Sequence, residues 1–188
     1  MKVIGFNGSP RKDGNTYTLM GYLLREIEKE GIETELVQLS AKRINGCIAC
    51  YKCFENRDQR CAVKKDAANE YIEKMIKAEG IVLGSPSYFQ GVTAEMKALI
   101  DRAGFVGLAN GRMYKNKTGA SLSCFRRTGG LHTIETMNHF FLSNELIIAG
   151  RAMSVARDKG DVEKDEECIQ SALALGQKIA WMMKKLNG

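Results

Sequence analysis

The chain has 188 residues, of which 44% are hydrophobic and 27% charged, and its formal charge at pH 7 is +6. This composition is typical of a globular protein that buries a full core without disulfides, and no linker-like segment divides it, so we expect one domain spanning residues 1–188. Lys and Arg are mixed with Asp and Glu and form no basic stripe with interleaved aromatics, so we expect no nucleic-acid partner.

The N-terminal residues predict a strand and not a targeting signal. The apolar run from Val3 to Phe6 has only four residues, whereas a secretory signal needs about 7–15. No run approaches the roughly 18 apolar residues of a membrane span. We therefore expect a cytoplasmic protein with no membrane partner.

Strands and helices alternate along the chain. Short apolar runs predict five strands, at residues 2–6, 34–39, 81–83, 117–124 and 146–149. Apolar residues at helical spacing predict the intervening and final helices, at residues 17–31, 68–76, 96–103, 131–142 and 169–183. This α/β alternation favours a five-stranded parallel sheet in the order 2-1-3-4-5 with helices on both faces. Ligands of such sheets bind beyond the carboxyl ends of the strands, so the loops after strands 1, 3 and 4 are the candidate site.

A loop rich in glycine and small polar residues follows the first strand and leads directly into a helix. The first N–H groups of a helix have no intrahelical partner and favour an anion such as phosphate. The side-chain donors of the loop are Ser9, Arg11, Asn15 and Thr16. Two glycines, Gly8 and Gly14, allow the backbone to approach a ligand closely. The loop has neither a Walker ending nor the G-x-G-x-x-G pattern. It predicts a phosphate site of another kind, the alternative being a polar turn without a ligand.

The loop after the third strand carries two adjacent aromatic residues. Pro86 stiffens the exit from the strand, and Tyr88 and Phe89 follow it. A flat ring system would suit these side chains, with backbone N–H groups bonding its polar edge. In the alternative, one ring packs in the core and the other lies on the surface.

Two glycines precede the helix after the fourth strand. Gly129 and Gly130 offer backbone donors to a ligand. Arg126 or Arg127, just before them, would meet a phosphate or an acidic partner, unless the two arginines are simply solvated.

Four of the six cysteines lie in one segment, at about residues 45–63, between the second and third strands. Cys47, Cys50, Cys53 and Cys61 have the spacing C-x₂-C-x₂-C-x₇-C. Such a compact run is typical of a cubane iron–sulfur cluster, whereas structural zinc prefers two separated pairs. A cluster, redox-active thiols and zinc all remain open, and disulfides are disfavoured. The other two cysteines, which we predict to be buried thiols, are Cys124 and Cys168.

These motifs together resemble the iron–sulfur flavoproteins and NADPH-dependent FMN reductases. The resemblance covers about residues 2–142 and is strongest in the first loop, the cysteine run and the sequence Gly-Ser-Pro-Ser-Tyr-Phe after the third strand. It implies a flavodoxin-like three-layer sandwich that binds FMN. The FMN-binding residues that it implies are Ser9, Arg11, Gly14, Asn15, Thr16, Pro86, Ser87, Tyr88, Phe89, Gln90, Gly91, Gly129 and Gly130.

The same resemblance implies that the four clustered cysteines, Cys47, Cys50, Cys53 and Cys61, hold a [4Fe–4S] cluster. One departure is that Ala62 follows the last of them, where bacterial ferredoxins have proline. Many relatives without a cluster also keep several of these cysteines.

The implied function is that of an FMN-dependent oxidoreductase that passes electrons between the cluster and FMN. The resemblance further implies ferredoxin or NAD(P)H as the donor. It also implies a homodimer or homotetramer in which the cluster of one subunit approaches the flavin of another. No acid–base catalytic group stands out. Two alternatives remain: a cluster-free NAD(P)H-dependent FMN or quinone reductase, and a non-enzymatic electron carrier like flavodoxin. The first loop differs from the Thr/Ser-rich loop of a true flavodoxin.

Overall fold

One parallel sheet organises the computed structural model, which describes residues 1–187. Its strand order is β2-β1-β3-β4-β5, which confirms the predicted flavodoxin-like arrangement. The strands are β1 Lys2–Asn7, β2 Glu33–Gln38, β3 Gly80–Pro86, β4 Thr118–Phe125 and β5 Ile147–Val155. Each predicted strand is present, and all four strand pairs are parallel.

The helices follow the strands in the predicted alternation. They are α1 Asn15–Lys29, α2 Lys52–Asn56, α3 Ala68–Lys77, α4 Ala94–Ala109, α5 Gly130–Ser143 and α6 Glu166–Asn187. Short 3₁₀ turns lie at Leu39–Ala41 and Asp161–Lys164. Among residues 1–187, none of the helices combines the length and the apolar character that crossing a bilayer requires.

Two hydrophobic clusters cover the two faces of the sheet. Val3 belongs to the cluster with α1 and α6, whereas Ile4 and Phe6 belong to the cluster with α3, α4 and α5. This division follows from the alternation of side chains along a strand. Helices α1 and α6 approach closely at Gly176, where an added Cβ would lie 2.8 Å from the carbonyl oxygen of Leu23. The result is a three-layer sandwich, as predicted.

The structure differs from the sequence prediction at two elements. Strand β5 runs to Val155, well past the predicted end at residue 149, because it is an edge strand whose exposed positions interrupt the apolar run. The short helix α2 was not predicted, since no residue in it is buried and it therefore shows no apolar periodicity.

A buried ion pair attaches the cysteine segment to the sandwich. Arg102 of α4 and Asp66 pair with side chains that are 1% and 0% exposed. Arg102 also donates to the carbonyl oxygens of Val63, at 2.7 Å, and Asn45, at 3.2 Å. Asp66 accepts from the backbone N–H groups of Asn45, at 2.9 Å, and Ala68, at 3.2 Å. Both ends of the segment are therefore tied to one buried charge pair.

We expect Asp66→Ala to lower the free energy of unfolding by about 3–5 kcal/mol, because Arg102 would remain as a buried charge without its partner. Urea denaturation followed by circular dichroism measures this loss. The matched control is Glu73→Ala, which removes a carboxylate from an exposed ion pair with Lys77 and should change stability little. Equal losses in the two variants would contradict the expectation.

Candidate functional site

A cleft of about 290 Å³ opens at the carboxyl ends of β1, β3 and β4. The loops after these three strands border it, as the strand order requires. Its lining residues are Ser9, Arg11, Gly14, Asn15, Thr16, Pro86, Ser87, Tyr88, Cys124, Phe125, Arg126, Ala156 and Arg157. The structure thus brings eight of the thirteen predicted FMN-binding residues into one cleft and leaves Phe89, Gln90, Gly91, Gly129 and Gly130 outside its lining.

The loop after β1 is held by neighbouring strands before any ligand binds. The N–H of Gly8 donates to the carbonyl oxygen of Gly84, at 2.7 Å. Gln38, at the end of β2, donates to the carbonyl oxygen of Ser9 and accepts from the side chain of Asn7 at 2.8 Å. The Asn7 side chain in turn accepts from the N–H of Ser9 at 3.0 Å. These bonds fix the loop conformation, so a ligand would meet a largely preformed surface.

The N-terminus of α1 opens into this cleft. Gly14 caps the helix in an extended conformation and supplies no capping side chain. The first N–H groups of α1 therefore keep the free donors that favour an anion. Ser9 and Thr16 line the cleft as buried hydroxyls, and Arg11 is an exposed guanidinium beside them. The arrangement suits a phosphate group.

The side chain of Asn15 has a structural partner that the sequence did not reveal. Its amide nitrogen donates to the carbonyl oxygen of Asp158 at 2.8 Å, and its amide oxygen accepts from the N–H of Gly160 at 3.0 Å. The Asp161 carboxylate orders the same loop by accepting from the N–H groups of Asp158 and Arg157, and these bonds help lower its pKa to about 2. Arg157 is thereby placed on the cleft, a position that no local sequence pattern predicts.

A tight turn separates the two predicted aromatic residues. Tyr88 and Gly91 exchange backbone hydrogen bonds of 2.8 and 3.1 Å, and Phe89 and Gln90 between them have φ values of 46° and 72°. Two left-handed residues in this position define a type I′ turn. Tyr88 lines the cleft and is 49% exposed, whereas Phe89 lies at the tip of the turn and is fully exposed. Neither ring packs in the core, so the alternative of one buried ring is wrong.

The loops after β3 and β4 touch at Gly129. Its φ is +86°, and an added Cβ would lie 2.8 Å from the Cα of Gln90 and collide with the hydroxyl of Ser87. At Gly130, an added Cβ would collide with the ring of Phe125. Gly129 therefore allows the two loops to pack together and Gly130 leaves room for the Phe125 ring, so both shape the cleft without lining it.

The four clustered cysteines border a second cavity. Cys47 and Cys50 are exposed, whereas Cys53 and Cys61 are partly buried. The other residues around the cavity, most of them apolar, are Ile48, Ala49, Tyr51, Ala62, Val63, Arg102, Phe105 and Val106. Burial raises the pKa of Cys53, and Cys61 and Cys47 lie near enough to raise it further. In the described residues 1–187, no three or more His, Cys, Asp or Glu side chains are grouped as ligands of one metal ion.

Backbone strain is concentrated in the same segment. Ala49, Tyr51, Arg57 and Gln59 all have left-handed φ values, between 48° and 60°. Each such residue costs on the order of 1–3 kcal/mol and persists only where other interactions hold it. Most of this segment is exposed, so few packing contacts of its own hold these conformations.

The two isolated cysteines are buried, as predicted. Cys124 and Cys168 are each 4% exposed. Burial raises the pKa of Cys124 to about 12 and that of Cys168 to about 11. Both thiols therefore stay protonated near neutral pH, including Cys124, which lines the cleft.

We expect Gly129→Ala to destabilise the chain by roughly 1–3 kcal/mol through its left-handed φ alone, with a further loss from the collision with Ser87. Thermal unfolding measures the effect. Gly111→Ala is the matched control, since its φ is +73° but nothing lies within 4 Å of an added Cβ. A loss at Gly129 no larger than that at Gly111 would contradict close packing between the two loops.

Comparisons with known proteins agree with this geometry. Residues 1–160 match the family model of NADPH-dependent FMN reductase. An iron–sulfur flavoprotein of Methanocaldococcus jannaschii is 39% identical over 197 residues, with 100% of each chain covered. RosB, solved with bound 8-demethyl-8-formylriboflavin-5′-phosphate, superposes with a TM-score of 0.78 at 17% identity, covering 99% of this chain and 80% of its own.

A flavodoxin from the domain Archaea superposes with a TM-score of 0.64 at 16% identity, covering 98% of this chain and 99% of its own. At this identity, the likeness to the flavodoxin and to RosB shows the fold alone. The family model and the sequence relative show the family as well as the fold, because these matches extend over most or all of the chain. The chain belongs to the NADPH-dependent FMN reductase family and is similar to its iron–sulfur flavoproteins.

Proposed function

We propose that the chain binds FMN in the cleft and acts as an oxidoreductase that passes electrons between this flavin and a [4Fe–4S] cluster on the four cysteines. The observation that carries the proposal is the meeting of the N-terminus of α1 with the loops after β3 and β4 in one cleft. Family membership supports the flavin, and the name of the M. jannaschii relative supports the cluster.

The phosphate of FMN would bind at the start of α1. Ser9, Thr16 and the backbone N–H groups of the first turn are the donors, with Arg11 and Arg157 supplying charge. The Asn15 side chain is occupied by the loop at 158–160, so this residue would contribute through its backbone N–H.

The flavin ring would lie along the loops after β3 and β4. Tyr88 and Phe125 offer aromatic surface on the cleft, and Pro86 and Ser87 form its β3 side. The tip of the turn carries Phe89, with Gln90 and Gly91 beside it. These residues would contact the edge of the flavin ring or a second molecule.

Three observations support a cluster on the cysteine segment. Four thiols border one cavity, the non-glycine residues around them are strained, and the buried Arg102 beside them has an Nε without a partner in residues 1–187. A cluster with four thiolate ligands is an anion, so a buried cation with a free donor suits it.

Bound FMN supplies the chemistry, since it accepts a hydride and returns the electrons singly. The residues of the cleft bind and orient the flavin. No His, Asp or Glu is found in the cleft lining within the described chain, and Cys124 keeps its proton there. We propose NAD(P)H or ferredoxin as the electron donor.

The proposal includes a homodimer or homotetramer. Apolar side chains are exposed beside both sites: Ile48, 68% exposed, and Tyr51, 57% exposed, near the cysteines, and Phe89 near the cleft. Contact between such surfaces in neighbouring subunits would bring a cluster close to a flavin.

We expect Arg11→Ala to weaken FMN binding about tenfold to a hundredfold, the usual range for a hydrogen bond to a charged group. Riboflavin, which lacks the phosphate, should bind both proteins alike. Fluorescence titration of the apoprotein measures both affinities. The control is Arg25→Ala on the far part of α1, where the guanidinium lies over the ring of Tyr22. An equal loss for riboflavin would show that Arg11 does not contact the phosphate.

We expect protein purified without oxygen to contain about four irons and four sulfides per chain. Cys47→Ser should lower both, because it removes one thiolate ligand, whereas Cys168→Ala, outside the segment, should leave them unchanged. Iron and acid-labile sulfide analysis measures the result. Iron-free protein that still oxidises NADPH with added FMN would support the cluster-free reductase instead.

A further inference from the structure

A buried charged side chain with an unused donor lies on the cavity bordered by the four cysteines. Arg102 is 1% exposed and lines this cavity. Its terminal nitrogens bind Asp66 and the carbonyl oxygens of Asn45 and Val63. Its Nε has no hydrogen-bond partner in the described part of the chain. Buried donors are rarely left unpaired, so we expect the Nε–H of Arg102 to have an acceptor when the cavity is occupied.

The surroundings of Arg102 keep its positive charge in place. The carboxylate of Asp66, whose side chain is fully buried, pairs with the guanidinium and balances this charge. Cys61 lines the same cavity as Arg102. Asp66 and two carbonyl oxygens hold the terminal nitrogens of Arg102, so the plane of the guanidinium and the direction of its Nε–H are fixed.

We infer that Arg102 donates its Nε–H to the group held by Cys47, Cys50, Cys53 and Cys61, and so raises the reduction potential of that group. The inference rests on the cluster of the proposed function. Reduction adds negative charge to a cluster, and a nearby cation and a hydrogen bond to sulfur stabilise the reduced state more than the oxidised one. Arg102 thus contacts the cluster directly and sets how readily it accepts an electron.

A purely structural role would have a different signature. The ion pair with Asp66 and the two carbonyl bonds require only the terminal nitrogens, so loss of these bonds would reduce stability without changing the potential of a cluster that still assembles. The reduction potential therefore separates the two roles.

The test is a dithionite titration of the complete anaerobic protein with redox dyes, monitored by the absorbance and EPR signal of the cluster. We expect Arg102→Gln to lower the equilibrium constant for one-electron reduction at least tenfold, which is about 59 mV. The double variant Arg102→Gln with Asp66→Asn leaves no unpaired buried charge, so it protects the fold. Its potential should lie between those of the single variant and the unmodified protein.

The control is Arg112→Gln, which removes the same charge from an exposed ion pair with Glu145. Solvent screens this position, so the potential should not shift. Iron and sulfide are measured in every sample. If the Arg102→Gln protein loses iron, the reduction potential of the double variant is compared with that of the unmodified protein. A lower potential in the double variant supports the inference, and an equal potential overturns it.

The two proposals fail in different ways. Unmodified protein without iron would refute the cluster and this inference with it. Full iron content with the same potential in the unmodified protein and the Arg102 variants would overturn the role of Arg102 and leave the cluster standing. A shift in Arg112→Gln as large as that in Arg102→Gln would also overturn it.

Discussion

Parallel pairing of β1 with both β2 and β3 is the constraint on which the cleft depends. This pairing places the carboxyl ends of β1 and β3 side by side. Strand β4 pairs with β3, so its carboxyl end lies next in the row. Three loops far apart in the sequence therefore meet at one edge. Their contacts, such as the Gly8 N–H to the Gly84 carbonyl oxygen, then fix the shape of the cleft.

The cysteine segment depends on a different interaction. It leaves the sheet after β2, carries few buried residues and contains four left-handed non-glycine residues, so its own packing stabilises it little. The ion pair of Asp66 and Arg102 attaches it to α4. The pair thus anchors the segment, and its Arg102 also lines the cavity, which links the folding of the segment to the electrostatics of that cavity.

The sequence was sufficient for the fold and for the position of the cleft, because both follow from local patterns. Apolar periodicity located all five strands, and the glycine-rich loops marked their carboxyl ends. Pairings between distant residues could not be predicted. Asn15 looked like a phosphate ligand, but its side chain binds a loop more than 140 positions away. Arg157 reaches the cleft, and Arg102 the cysteines, only through tertiary structure.

The turn at Phe89 and Gln90 bears on how this surface could be engineered. Both residues occupy a conformation that asparagine and glycine adopt at far lower cost, and the Phe89 ring gains nothing from the rest of its own chain. A redesigned Asn-Gly hairpin would therefore make the fold more heat-resistant. It would also remove the exposed aromatic ring from the tip of the turn, so under the proposed function the gain in stability would come at the expense of a binding surface.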